Sequence, residues 1–345
     1  MHIGVVGAGS FGTALAQSSA VQGHRVTLWG RDEAIIASIN KNRRNPRYLS
    51  DLNLHPGIHA TLDVADLEQA DLWLLCVPSH AMRETARLLA SCYHAGITVA
   101  HAAKGLEVET LTRLSQVVAQ ELPDLPVDRL AVLSGPSHAE EMSKELPTTL
   151  VVASHSKSCA ESIQDVLMNS RLRIYTSPDV VGTEIGGALK NVIALGCGMS
   201  DGLHFGDNAR AALMTRGLVE IARLGVQMGA ALATFSGLTG VGDLIVTCQS
   251  RHSRNWNAGF LIGSGSSVDE ALLQVGMAVE GIRTARAAQA LADAYGVEMP
   301  ISVAIADILF AGKAPLEAVG DLMSRSRTHE VEELAVDLPV SWLYG

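Results

Sequence analysis

The most constraining feature of this chain is Gly7-Ala8-Gly9-Ser10-Phe11-Gly12, a GxGxxG six residues from the N-terminus. A run of this kind is common on its own. Here it follows an apolar strand pattern at residues 3–6 and opens a helical pattern at 12–22, the context a dinucleotide-binding turn requires. In such a turn Gly7 permits the tight bend, Gly9 lets a pyrophosphate approach the backbone, and Gly12 allows the helix to pack closely on the strand. Free N–H groups at the helix start then face the phosphates. The bland alternative is an ordinary strand–helix turn.

The rest of the N-terminal half keeps this rhythm. Apolar strand patterns fall at 26–29, 72–77, 98–100, 130–134 and 150–153, with helical patterns at 79–91 and 111–120 between them. Most of these strands are continuously apolar, as strands covered on both faces are. A helix–strand pair at 158–168 and 172–175 extends the series. The expectation is an α/β Rossmann-type doubly wound sheet over residues 1–180. After Ser177-Pro178 the character changes. Residues 181–325 show helical periodicity at 185–200, 208–228, 253–262, 268–273, 282–295 and 301–311, and almost no strand pattern, so they form an all-α C-terminal domain. Residues 326–345 are an acidic tail to which no role is assigned.

Composition narrows the function. Of 345 residues, 36 are acidic and 26 basic, a net charge of −10 that argues against a general nucleic-acid binder. The five cysteines, Cys76, Cys92, Cys159, Cys197 and Cys248, form no CxxC pair or Cys/His cluster, so neither a disulfide framework nor a metal site is expected. The N-terminus lacks the basic head and long apolar stretch of a signal peptide. The longest uncharged run, 224–242, holds five glycines and reads as buried, glycine-broken interior rather than a membrane span. A soluble, cytoplasmic protein is expected.

Only six of the 26 basic residues are lysines. Lys104 follows the strand at 98–100. Ligands of such sheets bind beyond the carboxyl ends of the strands, so it either reaches a substrate or is a solvated loop lysine. Lys190 lies in a helix that is apolar nearly all round, with Gly186, Gly187 and Ala194 on its own face. Burial there would lower its pKa, as a general base requires; a snorkelling lysine is the alternative. Gly135, Pro136 and Ser137 follow the strand at 130–134, and Ser137 with Glu140 has the spacing of a capping box. Asp243 follows Gly240-Val241-Gly242. Ser253-Arg254-Asn255 opens a helix and combines free N–H groups with a guanidinium, a setting suited to a phosphate dianion. At the end of the second strand Gly30 leaves room and Arg31 offers a fork for a 2′-phosphate, favouring NADP over NAD; a surface arginine is the alternative. Asp32 comes late for a ribose acid and reads as solvated. The twelve histidines are assigned no role.

Taken in order, the loop 7–12, Ala103-Lys104-Gly105, Gly135-Pro136-Ser137, Leu189-Lys190-Asn191, Gly242-Asp243, Ser253-Arg254-Asn255 and Val279-Glu280-Gly281 resemble the bacterial-type NAD(P)-dependent glycerol-3-phosphate dehydrogenases. The first loop is shared by many dehydrogenases; the later segments in series are far more specific. The resemblance implies reversible oxidation of sn-glycerol 3-phosphate to dihydroxyacetone phosphate, a supply of phospholipid backbone. It also implies a helical domain like the C-terminal domain of 6-phosphogluconate dehydrogenase, and a homodimer. It carries over Lys190 as proton acceptor and Lys104, Gly135, Ser137, Asp243, Ser253, Arg254 and Asn255 as substrate contacts. Ser10, Phe11, Arg31, Lys104, Ala139, Arg254, Ala278 and Glu280 match cofactor contacts. Two other readings are a related dehydrogenase of a hydroxy acid or sugar acid, and a non-catalytic dinucleotide sensor. The sensor would need the phosphate loop, but not Lys104, Lys190 and the Ser-Arg-Asn segment together.

Overall fold

The computed structural model describes residues 1–327. Its N-terminal half is one eight-stranded sheet. In chain order the strands and helices are β1 (His2–Val6), α1 (Ser10–Val21), β2 (Arg25–Trp29), α2 (Glu33–Asn42), β3 (Ile58–Thr61), β4 (Leu72–Leu75), α3 (Met82–Leu89) and β5 (Thr98–His101). A two-residue hairpin, β6 (Leu106–Glu107) and β7 (Thr112–Arg113), leads into α4 (Leu114–Glu121), β8 (Leu130–Ser134), α5 (Ala139–Met142), β9 (Thr148–Ser154), α6 (Lys157–Leu167) and β10 (Leu172–Ser177). The sheet order is β10-β9-β8-β5-β4-β1-β2-β3. Six strands, from β3 through β8, run parallel and wind outward in both directions from the β1/β4 boundary. That is the Rossmann order, and the crevice at its switch point is where ligands of this fold bind.

The apolar runs form the sheet because both faces are covered: β1, β4 and β8 are buried at every residue. At the edge, β10 buries Leu172 and Ile174 and exposes Arg173 and Tyr175. Helix α2, strand β3 and the β6–β7 hairpin have no counterpart in the sequence patterns. Helix α2 is started by Asp32, whose carboxylate accepts from the Ile35 N–H at 3.1 Å, so this residue is exposed but serves as a cap. Strand β9 pairs antiparallel with β8, reversing the winding at that edge.

The chain leaves the sheet at Ser177 and enters α7 (Val180–Gly202), capped by Asp179, which accepts from the Gly182 N–H at 2.8 Å. There follow α8 (Asp207–Gln227), α9 (Leu232–Phe235), a single π-turn at Leu238–Gly242, α10 (Asp243–Gln249), α11 (Arg254–Gly263), α12 (Val268–Val275), α13 (Glu280–Tyr295), α14 (Pro300–Phe310) and α15 (Pro315–Met323). Helix α7 is the hub, buried along nearly its whole length. It is also long and apolar enough to cross a membrane, with 94% of that stretch inside the protein. The run 224–242 is broken at glycines, as expected. It is interior only in part: Gly229, Leu232, Ser236 and Gly237 are exposed.

Glycines let α11 lie almost backbone to backbone on α7. A Cβ on Gly198 would stand 2.1 Å from the Trp256 carbonyl oxygen, and one on Gly259 would stand 2.1 Å from that of Leu195. This contact brings the helix carrying Lys190 against the helix that Ser253 opens.

Candidate active site

A cleft of about 790 Å³ runs along the carboxyl ends of the parallel strands and into the helical half. It is walled by the loop after β1, by the loops after β2, β4, β5 and β8, and by α7, α10, α11 and the start of α13. At the nucleotide end, Gly7 has φ +117° and is held by its N–H to the Trp29 carbonyl at 2.8 Å. A Cβ on Gly12 would stand 2.0 Å from the Gly7 carbonyl oxygen, so only glycine lets α1 start so close to the strand. Nothing lies within 4 Å of where a Gly9 side chain would begin, leaving the backbone open to the cleft. The Gly9 cap supplies no side chain to the first N–H groups of α1. These groups fit a pyrophosphate.

Gly7, Gly9, Ser10, Phe11, Arg31, Lys104, Ser137, Ala139, Lys190, Asp243, Ser253, Arg254, Asn255, Ala278 and Glu280 all line this one cleft. Gly12 and Gly135 are not among its lining residues. A larger cavity of about 1110 Å³ in the helical half contains none of the predicted site residues.

At the floor, two lysines share one carboxylate. Lys104 donates to Asp243 Oδ2 at 2.8 Å and to the Gly135 carbonyl at 2.9 Å. Lys190 donates to Asp243 Oδ1 and, at 2.7 Å, to Thr247 Oγ1. Asp243 is 1% exposed and Lys190 4%. The snorkelling alternative therefore fails, because the Lys190 head turns inward. Burial is the largest influence on the Lys190 ammonium and pushes its pKa down to about 7; Asp243 pulls it up and Lys104 pushes it down again. Burial opposes the charge on Asp243, but the two ammonium groups outweigh it and hold the carboxyl below its ordinary value. This arrangement gives a lysine that exchanges a proton near neutrality beside a fixed anion and a second cation.

Ser253 caps α11, its Oγ accepting from the Trp256 N–H at 3.2 Å. Arg254 is exposed to the cleft and donates to the Ala278 carbonyl at 3.2 Å. Asn255 accepts from the Gly281 N–H at 2.8 Å and donates to Asn191 at 2.9 Å, so it also ties α13 to α7. Glu280 reaches across to the loop after β4, accepting from Ser79 N–H at 3.1 Å and Ser79 Oγ at 2.5 Å. Arg31 is largely solvated, with a 3.5 Å contact to Glu84.

The capping box at Ser137 does not form. Residue 138 is the cap of α5, without a side-chain bond, and Ser137 Oγ donates instead to the Gly135 carbonyl at 2.9 Å. Gly135 has φ +120°, which aims that carbonyl at both Ser137 and Lys104. Other cleft residues carry no role in the sequence reading, among them Ser79, His138, Asn191 and Thr247. Thr247 was readable as the i+4 neighbour of Asp243 on a short helix. His138 carries no such signal: its Nε2 is buried without a partner, and burial followed by the nearby Lys190 charge lowers its pKa.

A Rossmann sheet joined to a helical domain, with a buried lysine beyond the dinucleotide turn, defines a two-part dinucleotide-dependent oxidoreductase. Residues 2–160 match the family model for the NAD-dependent glycerol-3-phosphate dehydrogenase N-terminus, and residues 179–320 match the model for its C-terminus. The chain belongs to this family. It is 53% identical to the glycerol-3-phosphate dehydrogenase (NAD(P)+) of Moorella thermoacetica, over 96% of this chain and 98% of that protein. It is 50% identical to the enzyme of the same name from Desulfitobacterium hafniense, over 97% and 94%. The crystal structure of glycerol-3-phosphate dehydrogenase from Coxiella burnetii superposes with a TM-score of 0.90 at 37% identity, covering 94% of this chain and 99% of that one.

Proposed function

We propose that this chain transfers hydride reversibly between NAD(P) and the sn-glycerol 3-phosphate/dihydroxyacetone phosphate pair, supplying glycerol 3-phosphate for phospholipid synthesis. The carrying observation is the pair Lys190 and Lys104 on Asp243, at the end of a cleft that starts at the dinucleotide turn. Residues 1–180 serve the cofactor, and residues 181–325 supply most of the substrate and proton-transfer groups. The described part of residues 326–345 ends at Arg327; 328–345 lie outside the described residues.

NAD(P) bound in this cleft would supply the hydride acceptor for C2 of the alcohol and the hydride donor for the ketone. Gly7, Gly9, Ser10, Phe11 and Gly12 would hold the pyrophosphate side, with Arg31 on the 2′-phosphate of NADP, and Ala139, Ala278 and Glu280 along the rest. In oxidation neutral Lys190 takes the C2 hydroxyl proton; in reduction its ammonium gives that proton to the carbonyl oxygen. Asp243 orients both lysines, and Lys104 polarises the same oxygen. Ser253, Arg254 and Asn255 hold the substrate phosphate, with Gly135 and Ser137 on the opposite wall. This remote anchor fixes C2 against the cofactor. The protein acts on a small molecule in the cytoplasm as a homodimer.

The test is a rate comparison of the wild type and Lys190→Ala. NADPH and NADH are each offered with dihydroxyacetone phosphate and with a panel of keto acids. The expected result is preferential use of dihydroxyacetone phosphate, faster with NADPH, and loss of turnover in the variant with cofactor binding intact. Faster turnover of a keto acid would overturn the substrate. Near-full activity of Lys190→Ala would overturn the proton acceptor.

A further inference from the structure

Glu184 lies in α7, six residues before Lys190, and does not line the cleft. Its carboxylate is 2% exposed, yet it makes four polar contacts. One oxygen accepts from the Ser115 N–H at 2.7 Å and faces His101 Nε2 at 3.2 Å. The other accepts from Ser115 Oγ at 2.7 Å and from the Arg113 guanidinium. His101 is the last residue of β5 and is fully buried; Arg113 and Ser115 flank the start of α4. Burial alone would raise this carboxyl, but His101 and Arg113 together pull it down to about 2, so it stays an anion.

The position of this anion matters more than its strength. Six residues along a helix place Glu184 about 9 Å from Lys190 along the axis and on a different face. Lys104 follows His101 by three residues. The same two segments, α7 and β5 with its loop, are therefore joined twice: at one point through Glu184, at the other through Asp243. The second junction is the proposed chemistry; the first is buried and does not line the cleft.

We propose that Glu184 is a positioning residue. Its buried carboxylate clamps the start of α7 to β5 and α4, and thereby sets the spacing at which Lys190 and Lys104 meet on Asp243. This rests on the reading of Lys190 as proton acceptor. Without the clamp this junction between α7 and β5 is lost, and the spacing of the two lysines rests on Asp243, Thr247 and the Gly135 carbonyl. The groups facing Lys190 are Asp243, Thr247 and Cys248 from α10, Lys104 from the loop after β5, and His138 before α5. A looser junction lets water reach Lys190 and moves Lys104 away, and both changes favour the ammonium.

The test uses the full chain with Glu184→Gln and the milder Ser115→Ala, which removes one hydroxyl and leaves the ion pair. For Glu184→Gln, kcat should fall about ten- to a hundredfold while the Kd for NADPH stays within about twofold. The limb of glycerol 3-phosphate oxidation that rises with pH should move upward by at least about half a pH unit. Ser115→Ala should move both in the same direction by less. A lower melting temperature with kcat and limb unchanged, in either variant that folds, would make the network a structural brace and overturn the proposal. So would a fall in kcat with an unmoved limb. If Glu184→Gln does not fold, Ser115→Ala alone decides. Lys190→Ala run in parallel separates the two readings: if it kills turnover while the Glu184 and Ser115 variants leave the limb in place, only the positioning role is lost.

Discussion

Replacing Lys104 by Met tests the electrostatics of the site with a definite sign. Lys104 and Lys190 occupy the two oxygens of one buried aspartate, and the Lys104 charge is one of the influences that holds the Lys190 ammonium down at about 7. Two like charges about 4 Å apart repel by about 4 kcal/mol at the effective dielectric near a protein surface. The Lys104 side chain keeps 22% of its exposure, so solvent screens part of this. Halving it leaves ~2 kcal/mol, worth about 1.5 pH units of Lys190 titration. The limb for glycerol 3-phosphate oxidation should therefore move from about 7 to about 8.5. At pH 7 the neutral fraction of Lys190 then drops from about half to ~3%, a loss of roughly fifteenfold from protonation alone. Any loss of Lys104 as a substrate contact adds to this as a lower plateau, which the limb position does not register. In the reducing direction, which needs the ammonium, activity should persist to correspondingly higher pH. The assay is kcat/KM against pH in both directions for wild type and Lys104→Met. Asp243→Asn provides the opposite sign, since it removes an influence that raises Lys190. A limb that stays in place or moves down in Lys104→Met would refute the account.

Two further outcomes follow from the same structure. Arg254→Ala should raise KM for dihydroxyacetone phosphate by about ten- to a hundredfold, the worth of a charge-assisted pair, and affect unphosphorylated substrate far less; equal effects on both would remove Arg254 from the phosphate site. Away from the cleft, Glu220 accepts from the Ile301 N–H at 2.6 Å and from Ser302 N and Oγ at 3.0 and 2.9 Å, and burial pushes its pKa up to about 7. The unfolded chain releases this proton near 4.5 and the folded chain only near 7, so the contribution of Glu220 to stability is full below 4.5 and is lost as pH rises through 7. The fall is about 3 kcal/mol. Denaturant unfolding of Glu220→Gln should lack that slope, and a wild-type slope that survives the substitution would refute the assignment.

How much of this was legible in the chain depends on whether a feature is local. The turn at Gly7–Gly12 was readable because a strand, three spaced glycines and a helix are adjacent in sequence, and each glycine proves to have its own spatial reason. Strand β3 carries no signal because it is four residues long and mixes polar His59 and Thr61 with Ile58 and Ala60, so neither a continuous nor a long alternating apolar run marks it. Helix α2 is local, its cap and face spelled by Asp32, Glu33 and the isoleucines at 35, 36 and 39, but it is short and its cap stands where a ribose acid is also sought. The antiparallel sense of β9 leaves no trace in periodicity, since direction is set by the connection and not by the side chains.

The site divides on the same line. Lys190 stood out because a lone cation in an apolar, glycine-faced helix is locally improbable, and Asp243 because it follows glycines. That the two meet, together with Lys104, depends on α10 and the loop after β5 docking on α7, which no spacing encodes. Glu184 shows the limit most clearly. It lies in the same helix as Lys190 and is just as anomalous, an acid among buried apolar residues, yet its partners come from β5 and α4, remote in sequence. A buried charge in a sequence says that a partner must exist. Only the fold says whether that partner is chemistry or the frame that holds the chemistry in place.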